Sequence, residues 1–99
     1  MIFLILLQYI KPHFAIDQYY PSHQDFIDRY VDSGHFICSG RKTLKTGEFI
    51  LCKAGNRKEA QAIVAEDPFD INQLAVFEIV QYSVTAYAKA FGSLVDAEA

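Results

Sequence analysis

The chain has 99 residues and a mass of 11.2 kDa, the size of one domain with a modest hydrophobic core. Hydrophobic residues make up 52% of the sequence and charged residues 21%, a globular balance that excludes a disordered chain. The net charge of −3 and the isoelectric point of about 5.5 disfavour a nucleic-acid-binding domain, since such domains are usually basic.

The first segment, residues 2–9, is apolar at odd and even positions, which predicts a strand covered on both faces. Its unbroken apolar run, residues 2–7, would be only about 9 Å long as a helix, whereas the hydrocarbon core of a membrane is about 30 Å thick. We therefore expect no membrane span. The run begins at Met1 without Lys or Arg and ends at Gln8, unlike a signal peptide. We therefore expect a cytoplasmic protein in which Cys38 and Cys52 are free, reduced and buried.

A helix is predicted next, because aromatic and aliphatic residues recur on one face at steps of three and four: Tyr19, Tyr20, Phe26, Ile27, Tyr30 and Val31. A proline inside a helix breaks it, so we expect Pro21 near the start of this helix. Ser22 and Asp25 have the spacing of a capping box there. Gly34 suits the left-handed residue that ends a helix.

The middle of the chain predicts a hairpin followed by a second helix. Strands are expected over residues 35–39 and 48–54, with a polar connection at residues 40–47. Asn56 is a good N-cap for a short helix that continues to Glu66.

Proline then ends the second helix, because the residue before it, Asp67, avoids the helical region. A fourth strand is predicted for residues 74–82 and a short last helix for residues 85–91. From Ser93 onward we expect a frayed tail.

The element order βαββαβ predicts an α+β, ferredoxin-like fold, a four-stranded antiparallel sheet with two helices on one face. We expect one domain over residues 1–99, with its core in residues 1–82 and a short helix and tail in residues 83–99. Two helices cover only one face of the sheet, yet the strands are apolar on both. The open face would be too apolar for a monomer, so we predict a homodimer packed sheet to sheet, a dimeric α+β barrel.

His23 is the first candidate for chemistry, because it lies four residues after Tyr19 and three before Phe26, on the apolar face of the first helix. An isolated histidine there is more often a core residue with one satisfied hydrogen bond, although imidazole suits acid–base work near neutral pH. Asp67 is the second candidate, and its alternative interpretation is a turn residue. Because both helices lie on one face, the two side chains can approach each other, and a carboxylate would favour the imidazolium.

Other motifs are absent or weak. The three histidines have no cysteine or acidic partners at metal-binding spacing, and the sequence has no Walker A or zinc-protease motif. We therefore expect no metal and no cofactor, and no nucleic-acid or membrane partner. Arg41, Lys42 and Lys45 are expected to form a solvated turn, with anion binding as the less favoured alternative.

Four segments resemble the YciI-like family, also called the YCII-related domain, over about residues 1–82. They are a short apolar strand, a helix carrying a histidine and ending at glycine, a strand leading to a Ser-Gly step, and Asp-Pro-Phe after the second helix. Here these are residues 2–9, Pro21-Ser22-His23 to Gly34, Phe36 to Gly40, and Asp67-Pro68-Phe69.

The resemblance implies a dimeric α+β barrel with a His-Asp catalytic pair, which corresponds to His23 and Asp67. The substrate-binding residues it suggests are Ser39, Gly40, Arg41, Pro68 and Phe69. The chain also departs from the family, since many members have proline where Arg41 stands and a glycine soon after Asp-Pro-Phe.

Two functions are therefore expected from the sequence. The first is a cofactor-independent acid–base enzyme of lyase or isomerase type, acting on a small cyclic or aromatic molecule through His23 and Asp67; the family includes a dehydrochlorinase of chlorinated aromatic breakdown. The alternative is a non-catalytic, ligand-binding or structural homodimer in which the pair is a buried hydrogen bond. A solvent-open cavity beside His23 favours the enzyme, and a sealed pair favours the alternative.

Overall fold

A computed structural model describes residues 1–95, in which α-helices pack on one face of a four-stranded sheet. The elements run in the order β1 (Ile2–Tyr9), α1 (His13–Asp32), β2 (Phe36–Arg41), β3 (Gly47–Lys53), α2 (Arg57–Val64), α3 (Pro68–Ile71), β4 (Ala75–Tyr82), a 3-10 turn (Lys89–Phe91) and α4 (Gly92–Val95). The strand order is β2-β3-β1-β4, and every neighbouring pair is antiparallel. This confirms the predicted ferredoxin-like fold.

The central position of β1 follows from its apolar residues on both faces. Phe3, Ile5 and Leu7 point toward the helices and are buried. They lie opposite Cys52, Ile50 and Glu48 of β3, so one parity of each strand lines the core. The helices complete this core with the buried side chains Ile16, Phe26, Ile27, Ala60, Ile63 and Val64.

The first helix begins eight residues before Pro21, so the prediction that Pro21 lies near its start was wrong. Pro21 is exposed on the outer side of α1, while Ile16 on one side of it and His23 on the other are buried. Packing on both sides of the proline therefore outweighs its local cost. Ser22 does not cap the helix, because its hydroxyl donates to the carbonyl of Tyr19.

Asn56 caps α2 as predicted, its side chain accepting a hydrogen bond from the backbone N–H of Glu59 at 2.9 Å. The short helix α3, which was not predicted, starts directly at Pro68. Proline is well tolerated at the first helical position. The second helix ends at Val64, two residues before the predicted Glu66, so Pro68 begins α3 and does not itself end α2.

The C-terminal helix begins later than predicted. Residues 85–88 are not helical, and the 3-10 turn at Lys89–Phe91 leads into α4. Residues 93–95 of the predicted tail belong to α4, and the rest of that tail lies outside the described residues.

The face of the sheet away from the helices carries an exposed apolar patch. Leu6, Phe49 and Val76 are 38%, 40% and 50% exposed, respectively. Cys38 also lies exposed on this face, paired with Leu51, so the prediction that both thiols are buried was wrong for Cys38. The alternation of side chains along β2 and β3 puts Cys38 and the buried Cys52 on opposite faces, which separates the two thiols. Burial, with the carboxylate of Glu59, raises the pKa of the Cys52 thiol to about 11.

Among residues 1–95, no helix combines the length and the apolar composition that crossing a membrane requires.

Replacing Pro21 with Ala is expected to raise the free energy of unfolding by about 1–3 kcal/mol. The change restores the backbone hydrogen bond to Asp17, while the greater freedom of the unfolded chain offsets about 1 kcal/mol of the gain. Urea unfolding of the variant measures this, with Gln18→Ala on the same exposed side as the control. A loss of stability in Pro21→Ala would show that the packed helix needs the proline.

Candidate active site

The site is built around a buried imidazole that lies between two carboxylates. His23 of α1 has no exposed surface, and its Nδ1 lies 2.8 Å from Oδ1 of Asp67. Its Nε2 lies 2.8 Å from Oε1 of Glu48 on β3. Asp67 is also fully buried and Glu48 is 5% exposed, so this charged group of three lies inside the core. The structure thus brings together the predicted pair and adds a third residue.

Burial by itself lowers the pKa of His23, since it penalises the charged ring. The hydrogen bonds and charges of Asp67 and Glu48 act in the opposite direction and outweigh burial, so the pKa rises to about 9. The ring is therefore an imidazolium at neutral pH, and both of its N–H groups donate to carboxylates.

Asp67 is held by the start of α3. Its Oδ1 accepts a second hydrogen bond, at 2.9 Å, from the backbone N–H of Phe69, and so caps that helix. The expectation that Asp67 simply ends the second helix is corrected, because its side chain serves the following helix instead. Among residues 1–95, no group hydrogen-bonds its Oδ2, although that atom is buried.

Phe69 covers one face of the imidazole. The two rings are stacked, with their centroids 4.0 Å apart and their planes 3° from parallel. A cation over an aromatic face is stabilised by the ring quadrupole, so Phe69 supports the charged form of His23. The Asp67-Pro68-Phe69 segment thus gives His23 both a carboxylate partner and a stacked aromatic ring.

A chain of polar contacts leads from Glu48 toward the surface. The hydroxyl of Tyr9, at the end of β1, donates to Oε2 of Glu48. Burial first, and then the hydrogen bond and charge of Glu48, raise the pKa of the Tyr9 phenol. The Nε of Arg41 donates to the same hydroxyl at 3.2 Å, and its guanidinium lies 4.4 Å from the ring centroid of Tyr20.

Sequence reasoning missed Glu48 and Tyr9 as members of the site. The available signal was strand parity. Glu48 has the same parity as the apolar residues Ile50 and Cys52, so all three side chains point toward the helices. A carboxylate at such a position has to find a buried partner. In the prediction Glu48 was only the first residue of a strand.

The predicted substrate-binding residues divide between the two faces of the sheet. Arg41 and Ser39 share the face of Glu48 and Ile50, and Ser39 is exposed. Gly40 lies on the other face, where an added Cβ would come within 2.5 Å of the Phe49 ring.

Pro68 is half-buried at the first position of α3, directly between Asp67 and Phe69. It adjoins the buried charged group through the backbone of this turn, whereas Gly40 does not reach that group.

The two carboxylates approach opposite nitrogens of the imidazole and do not converge on a common point. In the part of the chain that the structure describes, no group of three His, Cys, Asp or Glu side chains is arranged to hold a metal ion. The arrangement can instead hold a proton on a buried ring and stabilise the resulting charge.

Comparison with known proteins identifies the family. The model of the YCII-related domain matches residues 1–85. A solved structure with the same fold is the 5-chloro-2-hydroxyhydroquinone dehydrochlorinase of Burkholderia phenoliruptrix AC1100, in complex with 2,5-dihydroxybenzoquinone. It has a TM-score of 0.75 and 18% identity, over 86% of this chain and 96% of that chain. No curated protein sequence matches.

Replacing Asp67 with Asn is expected to lower the titration midpoint of His23, because the imidazolium loses one of its two anionic partners while the shape is kept. NMR titration of the His23 ring in both proteins measures the shift. Asp70→Asn, a change at an exposed carboxylate of the same short helix, serves as the control and should leave the midpoint in place. An unchanged midpoint in Asp67→Asn would show that the two residues are not coupled.

The free energy of unfolding is expected to fall as the pH rises from 6.5 to about 9. The raised pKa of His23 means that its stabilisation is fully present below pH 6.5 and is lost as the pH rises through about 9. Between these limits the slope should be about 1.4 kcal/mol per pH unit. Urea unfolding at several pH values tests this. In Asp67→Asn the pKa of His23 is lower, so the pH-dependent fall in the free energy of unfolding should span a narrower pH range. Equal profiles for the two proteins would contradict the prediction.

Proposed function

We propose, from the premise that this chain belongs to the YCII-related domain family, that it is a cofactor-independent acid–base enzyme of lyase or isomerase type. The substrate is a small cyclic or aromatic molecule. The observation that supports the proposal best is the buried imidazolium of His23, held at both nitrogens by carboxylates at 2.8 Å. A charge maintained inside an apolar core is costly, and such perturbed groups cluster at functional sites.

In this proposal His23 acts first as an acid, because its pKa of about 9 keeps it protonated at neutral pH. Asp67 is a positioning residue that holds Nδ1 and stabilises the charge. The proton at Nε2 is the one transferred, so the reacting atom of the substrate takes the place that Glu48 occupies at that nitrogen. The neutral Nε2 then takes a proton from a second position of the substrate, which restores the imidazolium and completes the cycle.

The substrate would approach from the side of the outward polar chain. Glu48 is 5% exposed, Tyr9 is half-buried, and the side chain of Arg41 is 22% exposed. We propose Arg41, Pro68 and Phe69 as the main substrate contacts among the residues that the family resemblance suggests. Ser39 would contribute from the face of β2 that carries Arg41, whereas Gly40, where an added Cβ would face Phe49 on the other side, would contribute only through its backbone.

A second candidate function is supported by the closure of the site. His23 and Asp67 have no exposed surface, and Glu48 already occupies the second ring nitrogen. This is the sealed arrangement expected of a structural hydrogen-bond network, in which the chain is a ligand-binding or structural homodimer. The two functions differ in one respect, because only an enzyme loses turnover when His23 is replaced by a group that cannot transfer a proton.

We also propose a homodimer formed through the open sheet face. The apolar patch of Leu6, Phe49 and Val76 lies there, on the side opposite His23. Such a patch on a small protein is typical of a protein–protein contact. A second copy of the same sheet offers a surface of the same shape and polarity.

The enzyme proposal predicts that wild-type protein binds 2,5-dihydroxybenzoquinone and releases chloride from 5-chloro-2-hydroxyhydroquinone, the compounds named for the dehydrochlorinase of the same fold. His23→Gln should lower kcat/KM by about 100-fold or more, because proton transfer is lost. His35→Gln is the matched control, since His35 lies outside the site against Ser33 and should keep full activity. Absence of both binding and chloride release, or full activity in His23→Gln, would favour the structural alternative.

The dimer proposal predicts that Leu6→Glu converts the protein to a monomer that remains folded, because a buried charge would face the partner sheet. Sedimentation velocity and circular dichroism measure the two properties. Leu44→Glu is the control, at an 81% exposed position in the hairpin. Ile5 and Ile50 are unsuitable sites for this test, since both lie fully buried under the helices. A wild-type monomer at micromolar concentration would contradict the proposal.

A further inference from the structure

The guanidinium group of Arg41 is held by neighbouring side chains, so Arg41 is not the solvated turn residue that the sequence predicted. It lies at the end of β2 with its side chain 22% exposed. Its Nε donates to the hydroxyl of Tyr9, and its planar group lies 4.4 Å from the ring centroid of Tyr20 and 5.6 Å from that of Tyr9. The hydrogen bond at Nε and the two neighbouring rings restrict the rotation of this side chain, which gives its two terminal nitrogens a defined direction.

These two terminal nitrogens have no hydrogen-bond acceptor within residues 1–95. The nearest carboxylate oxygen, Oδ1 of Asp17, is 4.0 Å from Nη2, and the Asp17 side chain is 70% exposed. Arg29 provides a comparison in the same molecule, because it also lies near aromatic rings but has a carboxylate of Glu66 at 3.2 Å. Arg41 therefore combines an ordered plane with unused donors, which is the arrangement that recognises a two-oxygen anion.

We propose that Arg41 is the receptor for an organic anion that presents two coplanar oxygens, such as a carboxylate, bound by its two terminal nitrogens. The inference rests on the proposed function in one respect, which is that the rest of the bound molecule faces Glu48 and His23. Arg41 is joined to that pair through Tyr9, so an anion held there lies beside the outward end of the site. Arg41 thus selects acidic substrates and orients them.

Asp17 has a specific part in this arrangement. Its carboxylate lies near the same terminal nitrogen, too far for a hydrogen bond but close enough to weaken the field that attracts another anion. Removing its charge should therefore improve anion binding. Such a gain is informative, because a damaged fold does not produce tighter binding.

The experiment measures binding of benzoate, with neutral benzamide as the matched ligand, by NMR and calorimetry on the full chain. Wild-type protein should bind benzoate and bind benzamide at least about tenfold more weakly. Arg41→Gln should lose about tenfold or more in benzoate affinity, and Arg41→Lys should recover only part of it, since lysine lacks the planar fork. Asp17→Asn should bind benzoate about two- to fivefold more tightly. Arg29→Gln should match the wild type.

Equal affinity for benzoate and benzamide, or unchanged benzoate affinity in both Arg41→Gln and Asp17→Asn, would overturn the inference. If Arg41→Gln is poorly folded, the benzoate affinity of Asp17→Asn decides the test. Tighter binding supports the anion site, and unchanged binding counts against it. The proposed function fails independently, through full turnover in His23→Gln. If benzoate binding depends on Arg41 but turnover does not depend on His23, the anion-site proposal stands and the enzyme proposal fails.

Discussion

The site depends on keeping one positive charge inside an apolar core. Removing an imidazolium from water is costly, and here two carboxylates at 2.8 Å and a stacked aromatic ring compensate it. The three charged groups come from α1, from β3 and from the turn before α3. The same contacts that hold the proton therefore tie the helical layer to the sheet, and deleting one partner would leave an uncompensated buried charge. Structural and chemical roles are not separable by stability alone.

Closure of the site sets the direction of its chemistry. An exposed histidine near its ordinary pKa could act as acid or base, whereas the pKa of His23 is raised to about 9, so in the proposed reaction the ring starts protonated. Since Phe69 covers one face of the His23 ring and Glu48 contacts Nε2, a substrate that reaches Nε2 would have to approach from the side of Glu48. Tyr9 and Arg41 extend the hydrogen bonds of Glu48 toward the surface on that side.

The sequence predicts the fold well because the strands carry their signal locally, in apolar residues at both parities. The approach of His23 and Asp67 is also predictable, since the two crossovers put both helices on one face. Three features depend on tertiary packing instead. Pro21 is tolerated inside α1 by burial on both sides of it, Asp67 caps a short helix that begins at the next residue, and Glu48 finds a partner 25 residues away in the sequence. No local pattern encodes such partners.

The alternation of side chains along β1 separates the apolar patch on the open face from the buried charged group under the helices. Leu6 points to the open face, while its neighbour Leu7 points to the helices and lies opposite Glu48. The proposed self-association surface and the proton-holding site thus share the same strands without sharing side chains, because each strand residue belongs to one face only. The sheet is the common support, so anything that shifts β1 relative to β3 would disturb the Glu48–His23 contact. A dimer formed on the open face would restrain that shift, and would stabilise the site without contributing an atom to it.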